Sequence, residues 1–179
     1  RLPSVDVLRD IRFQEPLRVY SRDGLLMGEF GEMRCTPVRF EQIPQVLIQA
    51  MLAAEDDRFL SHHGVDFGGL TRAAWELATT RSIQSGGSTI TMQVARNYFL
   101  SRDQTFVRKF NEILLALQIE RELDKQQILE LYLNKIFLGY RAYGVEAAAQ
   151  VYYGRPIQQL SLDEAALIEI LVEPKNALI

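Results

Sequence analysis

From Gln45 onward apolar residues recur every third or fourth position, and this constrains the fold more than any other feature of the chain. Val46, Leu47, Ala50, Met51 and Ala54 open the pattern, and Gly64 reads as its stop. The period resumes over Leu70 to Thr80, Thr89 to Phe99, Phe106 to Glu122, Lys125 to Phe137 and Gly144 to Tyr153. Phe106, Phe110, Ile113, Leu114 and Leu117 share one face of the longest segment. Gly154 and Pro156 end the Ala-rich one, and Ser161-Leu162-Asp163-Glu164 has the form of a capping box opening a last helix. Ahead of these helices, Leu17 to Ser21 and Leu25 to Phe30 alternate around Arg22-Asp23-Gly24, which predicts a hairpin. The expected class is mainly α with a short N-terminal β element. Residues 1–179 are read as one domain, with 1–40 as its β and linker part.

A chain of 179 residues is long enough to bury a sizeable core. A net charge of -3 gives no global field for nucleic acid. Cys35 is the sole cysteine, so neither an intrachain disulfide nor a Cys-based metal site is expected. No apolar run is long enough to span a bilayer, and the chain reads like a piece of something longer, with any membrane anchor outside its limits.

Three short segments carry the chemistry. Glu55-Asp56-Asp57-Arg58-Phe59-Leu60-Ser61-His62-His63-Gly64 gathers three acids, an arginine and both histidines at the end of an apolar helix. A carboxylate there can serve as a general acid or base, although a solvated helix end with Arg58 paired to an acid would look the same. His62 and His63 are adjacent and face different ways, with no third ligand at metal spacing, so zinc is not expected. Gly86-Gly87-Ser88-Thr89 is a turn into a helix, where backbone N–H groups bind anions or Ser88 or Thr89 simply caps. It is not a nucleotide-binding P-loop, and Ser88 has no evident His–Asp relay to make it a nucleophile. Arg96, Arg108 and Lys109 put cations near the same stretch, and Glu112 shares a helix face with the last two. That set suits a diphosphate, with Glu112 positioning a cation or a sugar. Glu130 and Asn134, four apart with Tyr132 between them, suit hydrogen-bonded bracing of the neighbouring helices.

In this order and spacing, EDDRFLSHHG, GGSTITMQVARN, RKFNE and ILELYLN resemble glycosyltransferase family 51, the peptidoglycan glycosyltransferase domain of class A penicillin-binding proteins and of monofunctional transglycosylases. The resemblance runs from about Leu17 to about Glu164. It implies a lysozyme-like, two-lobed helical fold around a cleft, one lobe (the jaw) dipping into the membrane. It implies polymerisation of lipid II into β-1,4 glycan strands at the periplasmic face of the cytoplasmic membrane, with a transpeptidase domain in a bifunctional parent. Glu55 matches the catalytic base and Glu112 the second essential carboxylate, acting at the diphosphate or through a divalent cation such as Mg²⁺ or Mn²⁺. Asp56, Phe59, His62, Ser88, Thr89, Gln93, Arg96, Arg108 and Lys109 match substrate-contacting positions. Gly64, Gly86, Gly87, Glu130, Tyr132 and Asn134 match the structural frame. No nucleotide, haem, zinc or nucleic acid is implied. Membrane contact is expected around Tyr98, Phe99, Leu100, Phe106 and Phe110.

Two departures stand out. Met92 replaces a glutamine common in the family, and Glu169 to Ile179 replaces the usual Gly-Leu-Pro-containing segment. A muramidase or lytic transglycosylase on the same kind of fold is the alternative enzyme, but it needs no diphosphate site, and the glycine turn with its three cations argues against it. An inactive glycan- or lipid-binding fragment is the third reading, kept alive by the altered end.

Overall fold

A computed structural model describes residues 3–11, 17–30, 34–80, 87–100 and 106–170. Its described elements are mainly helical. A 3-10 helix (Val5–Asp10) leads into an antiparallel hairpin of β1 (Leu17–Tyr20) and β2 (Leu26–Phe30), pairing Leu17 with Phe30 and Val19 with Gly28. Then follow β3 (Arg34–Cys35), α1 (Gln45–Glu55), α2 (Phe67–Thr80), α3 (Ile90–Phe99), α4 (Phe106–Glu122), α5 (Lys125–Lys135), β4 (Ala142–Tyr143), α6 (Val145–Tyr153) and α7 (Leu162–Ile170).

The helix α3 is the hub. Every side chain from Ile90 to Ala95 is buried, and the helix packs on both α4 and α5, while α1 packs on α7. Met51, Leu115, Ile128, Tyr132 and Leu133 lie in one continuous core. A separate small cluster of Val65, Met92 and Ala116, flanked by Leu70, Ile113 and Leu117, sits under the start of α2. Met92, the departure from the family pattern, therefore fills an apolar pocket between α3 and α4. Asp124 caps α5 by accepting from the Gln127 N–H, and the Gln127 side chain returns the bond.

The hairpin and the helices fall where the sequence puts them, with three differences at element ends and one added strand pair. The helix α1 stops at Glu55, well before Gly64, because Asp56 turns to extended backbone (φ −164°) and spends its carboxylate elsewhere. α2 begins at Phe67, so Gly68 and Gly69 lie inside its first turn. α5 stops at Lys135, after which Ile136 is extended and Phe137 bridges to Tyr143. The two-residue parallel pair β3–β4 was outside the sequence expectation. Glu130 and Asn134 brace the N-terminal segment to α5 rather than helix to helix. Asn134 accepts from the Val38 N–H (2.9 Å) and donates to the Val38 carbonyl (2.8 Å), and Glu130 accepts from the Phe40 N–H (2.7 Å).

Candidate active site

Two carboxylates from different helices converge on the segment 88–93. Glu55 is the last residue of α1 and is half-buried; its carboxylate accepts from the Gln93 amide at 2.7 Å. Glu112, on α4, is 0% exposed. It accepts from the Ser88 hydroxyl at 3.1 Å and from the Lys109 ammonium at 3.0 Å, with an Arg108 guanidinium nitrogen 3.9 Å from its other oxygen. Lys109 is three positions before Glu112 and Arg108 four, so helical spacing alone sets both cations over the acid. The Lys109 side chain is 39% exposed, so it reaches Glu112 from the surface. Arg96 lies one turn beyond Gln93 on α3 and is half-buried.

The loop between Glu55 and α2 is tied down by polar contacts. Asp56 accepts from the Ile90 N–H at 3.0 Å, so a carboxylate meets the N-terminus of α3 where backbone donors are otherwise unpaired. The Nε2 of His62 lies 2.9 and 3.0 Å from the two oxygens of Asp56. Thr89 caps α3, accepting from the Met92 N–H at 3.1 Å, and donates to the Gly64 carbonyl at 2.6 Å. Phe59 is 1% exposed in the core, its ring nearly perpendicular to that of His62. Asp56, Phe59 and Thr89, expected as substrate contacts, are buried, and the polar contacts of Asp56 and Thr89 run to other parts of the protein, while His62 is half-buried with its Nε2 on Asp56 and its Nδ1 unpartnered. Gly64 has φ +87°, and a Cβ there would come within 2.7 Å of the Ala116 carbonyl oxygen, so both backbone and space demand glycine.

Ser88, Gln93, Arg108 and Lys109 stand with the two carboxylates; Gly87 precedes Ser88, and Gly86 lies outside the described residues, as do 171–179. Tyr132 is fully buried, in keeping with a place in the frame. The divalent-cation expectation meets an unsuitable donor set. Glu112 has one buried oxygen without a hydrogen-bond partner, but it faces a guanidinium, and no three His, Cys, Asp or Glu side chains converge among the described residues. The described side chains therefore do not by themselves supply the several oxygen ligands of an all-protein divalent site.

The expected membrane residues divide. Tyr98, Phe99 and Leu100 pack against the main core, while Phe110 is exposed. The side chain of Phe106 is outside the description. Burial pushes the Tyr98 hydroxyl above its ordinary range, with Cys35 and Glu130 adding to the effect, and it donates to the Leu131 carbonyl. Exposed apolar residues that the sequence reading passed over are Phe67 and Trp75 on α2 and Val107 on α4, Trp75 being 72% exposed. Also passed over were Thr91, Glu120 and Lys125. The available signal was position: Glu120 follows Glu112 by eight residues and so lies on the same stripe of α4.

The family model described as Transglycosylase matches residues 23–178, a span that includes the departing C-terminal segment. Penicillin-binding protein 1A of Pseudomonas aeruginosa is 65% identical over 167 residues, covering 93% of this chain and 20% of that protein. Its namesake in Escherichia coli is 52% identical over 168 residues (94% and 20%), and that of Neisseria gonorrhoeae 48% over 177 residues (99% and 22%). A crystal structure of penicillin-binding protein 1A from Haemophilus influenzae aligns with 34% identity and a TM-score of 0.45 over 90% of this chain and 14% of that one. The chain thus spans about a fifth of the length of the curated relatives it matches. With the family model covering most of its length, the chain belongs to the transglycosylase family, glycosyltransferase family 51, whose domain is carried by homologues of penicillin-binding protein 1A.

Proposed function

We propose that this domain polymerises lipid II, with Glu55 as the general base. The observation that carries the reading is the unequal surroundings of two carboxylates facing one segment. Glu55 is half-buried at the end of α1 and accepts from the Gln93 amide, while Glu112 is 0% exposed with Lys109 and Arg108 beside it. Two acids placed in contrasting environments suit a division of labour.

Glu55 removes the proton from the 4-hydroxyl of the acceptor GlcNAc. That oxygen bonds to C1 of the donor MurNAc as the C1–O bond to undecaprenyl diphosphate breaks. The electron pair leaves with the diphosphate, and attack from the opposite face inverts α to β. Gln93 orients Glu55. Glu112 holds Lys109, Arg108 and the Ser88 hydroxyl in place, and those cations, with Arg96, offset the charge that grows on the leaving group.

The exposed Phe67, Trp75, Val107 and Phe110 support contact with a bilayer surface. No described helix is long and apolar enough to cross a membrane. We place the domain, within a longer protein that carries an anchor and a transpeptidase domain, at the outer face of the cytoplasmic membrane. The test is polymerisation of purified lipid II in detergent. Glu55→Gln is expected to lower kcat by about 10²- to 10⁴-fold; a variant that polymerises at the wild-type rate sinks the assignment.

A further inference from the structure

The Lys125 and Glu120 side chains take no part in the reaction as proposed. Lys125 is the first residue of α5. Its ammonium donates to the His62 carbonyl at 2.8 Å and to Glu120 at 2.7 Å, and stands 4.2 Å over the Phe59 ring. The same Glu120 oxygen accepts from the Thr91 hydroxyl at 2.6 Å. The Glu120 side chain is nearly buried, and a carboxylate in that position is stable only if paired.

We propose that the Lys125–Glu120 pair is a positioning clamp that sets Glu55 against Gln93. The proposal rests on the reading of Glu55 as base. Through the His62 carbonyl and Phe59, the pair grips the loop that begins at the residue after Glu55. Through Thr91, it grips the first turn of α3, two residues from Gln93. The two helices that present the Glu55–Gln93 contact are thereby referenced to a single half-buried ion pair on α4 and α5. The diphosphate-facing group of Ser88, Arg108, Lys109 and Glu112 has its own contacts and does not depend on this pair.

That separation predicts a split between turnover and substrate binding. A misplaced base weakens an interaction made in the transition state, whereas the anion-binding side stays intact. In the full-length protein, Lys125→Met is expected to lower kcat for lipid II about ten- to a hundredfold, the cost of a small misplacement, with KM nearly unchanged. Lys125→Arg, which can still pair with Glu120, is expected to restore most of kcat. Thermal melts establish the folded fraction at the assay temperature, and kcat is expressed per folded molecule. A Lys125→Met protein with wild-type kcat per folded molecule, or with kcat and KM moved together, overturns the clamp. Should Lys125→Met not fold, Thr91→Val keeps the ion pair and removes only its strut to α3. A several-fold lower kcat at constant KM then supports the proposal, and an unchanged kcat overturns it. Glu55→Gln run alongside separates the two claims: activity in that variant sinks the base, while its loss beside a fully active Lys125→Met sinks the clamp alone.

Discussion

The two sides of the candidate site are built differently. On the α5 side, α1, α3, α4, α5 and α6 contribute to one apolar core, and buried polar pins such as Asn134 on Val38 fasten the N-terminal segment to it. On the α2 side, a few small residues around Val65, Met92 and Ala116 fill the base. The Arg58–Asp66 ion pair ties the loop to the start of α2 at the surface, and Phe67 and Trp75 face outward. Area removed from water sets most of the stability, so the first side holds the fold. The second keeps apolar surface available for something other than folding. The lesson is that Glu55 and Glu112 sit at the seam, each on a helix rooted in the rigid side.

The largest effect that can break this contrast is in the core. Tyr132 is fully buried, and Tyr132→Ala should cost about 3–5 kcal/mol of unfolding free energy, measured by denaturant titration. If the loss were below about 1 kcal/mol, too small for a buried aromatic, the α5 side would not be the structural root. At the seam, Gly64→Ala adds a Cβ against the Ala116 carbonyl at a positive φ. The expected cost is about 1–3 kcal/mol. Because Gly64 closes the loop that begins beside Glu55, polymerisation should fall as well; a stable variant with full activity would show that the loop tolerates movement.

On the α2 side the expectation reverses. Trp75 is 72% exposed, so Trp75→Ala should change stability by no more than about 0.5 kcal/mol. Sedimentation with anionic phospholipid vesicles should nevertheless show weaker association of the domain. Unchanged association would remove Trp75 from the proposed membrane surface, and a large fall in stability would mean that α2 shares the main core after all.

Much of this was legible in the sequence, and the rest failed for identifiable reasons. The bounds of α4, the Thr89 cap on α3 and the Ser161–Glu164 capping box follow from local spacing, which short-range hydrogen bonds reward directly. The pairing of Glu112 with Lys109 and Arg108 is equally local. What the sequence hid is tertiary. Nothing near Asp56 signals that its carboxylate meets the N–H of Ile90, thirty-four positions away. Phe59 and His62 read as members of a reactive motif, yet motif membership carries no information about which side chains turn inward. Lys125 and Glu120 were passed over, because the contact of Glu120 with Thr91 arises only when α3 packs against α4.

The smallest effect concerns α7, which packs on α1 and so stands behind Glu55 on the rigid side. Glu164 accepts from the Ser161 N–H and pairs with Arg155. The Ser161 backbone bond first, and then Arg155, hold its carboxyl below the ordinary glutamate range. A carboxyl whose folded value is depressed contributes stability that is present above its unfolded value and is lost as pH falls through the folded one. Wild-type protein should therefore melt slightly above Glu164→Gln at pH 7, and the difference should shrink as the pH is lowered through the acid range. The partial exposure of the Arg155–Glu164 pair keeps the gap small and sensitive to salt. A gap that persists unchanged at low pH would mean that Glu164 supports α7 by its shape and its bond to the Ser161 N–H, not by its charge. The cap would then join the pH-insensitive pins of the α5 side.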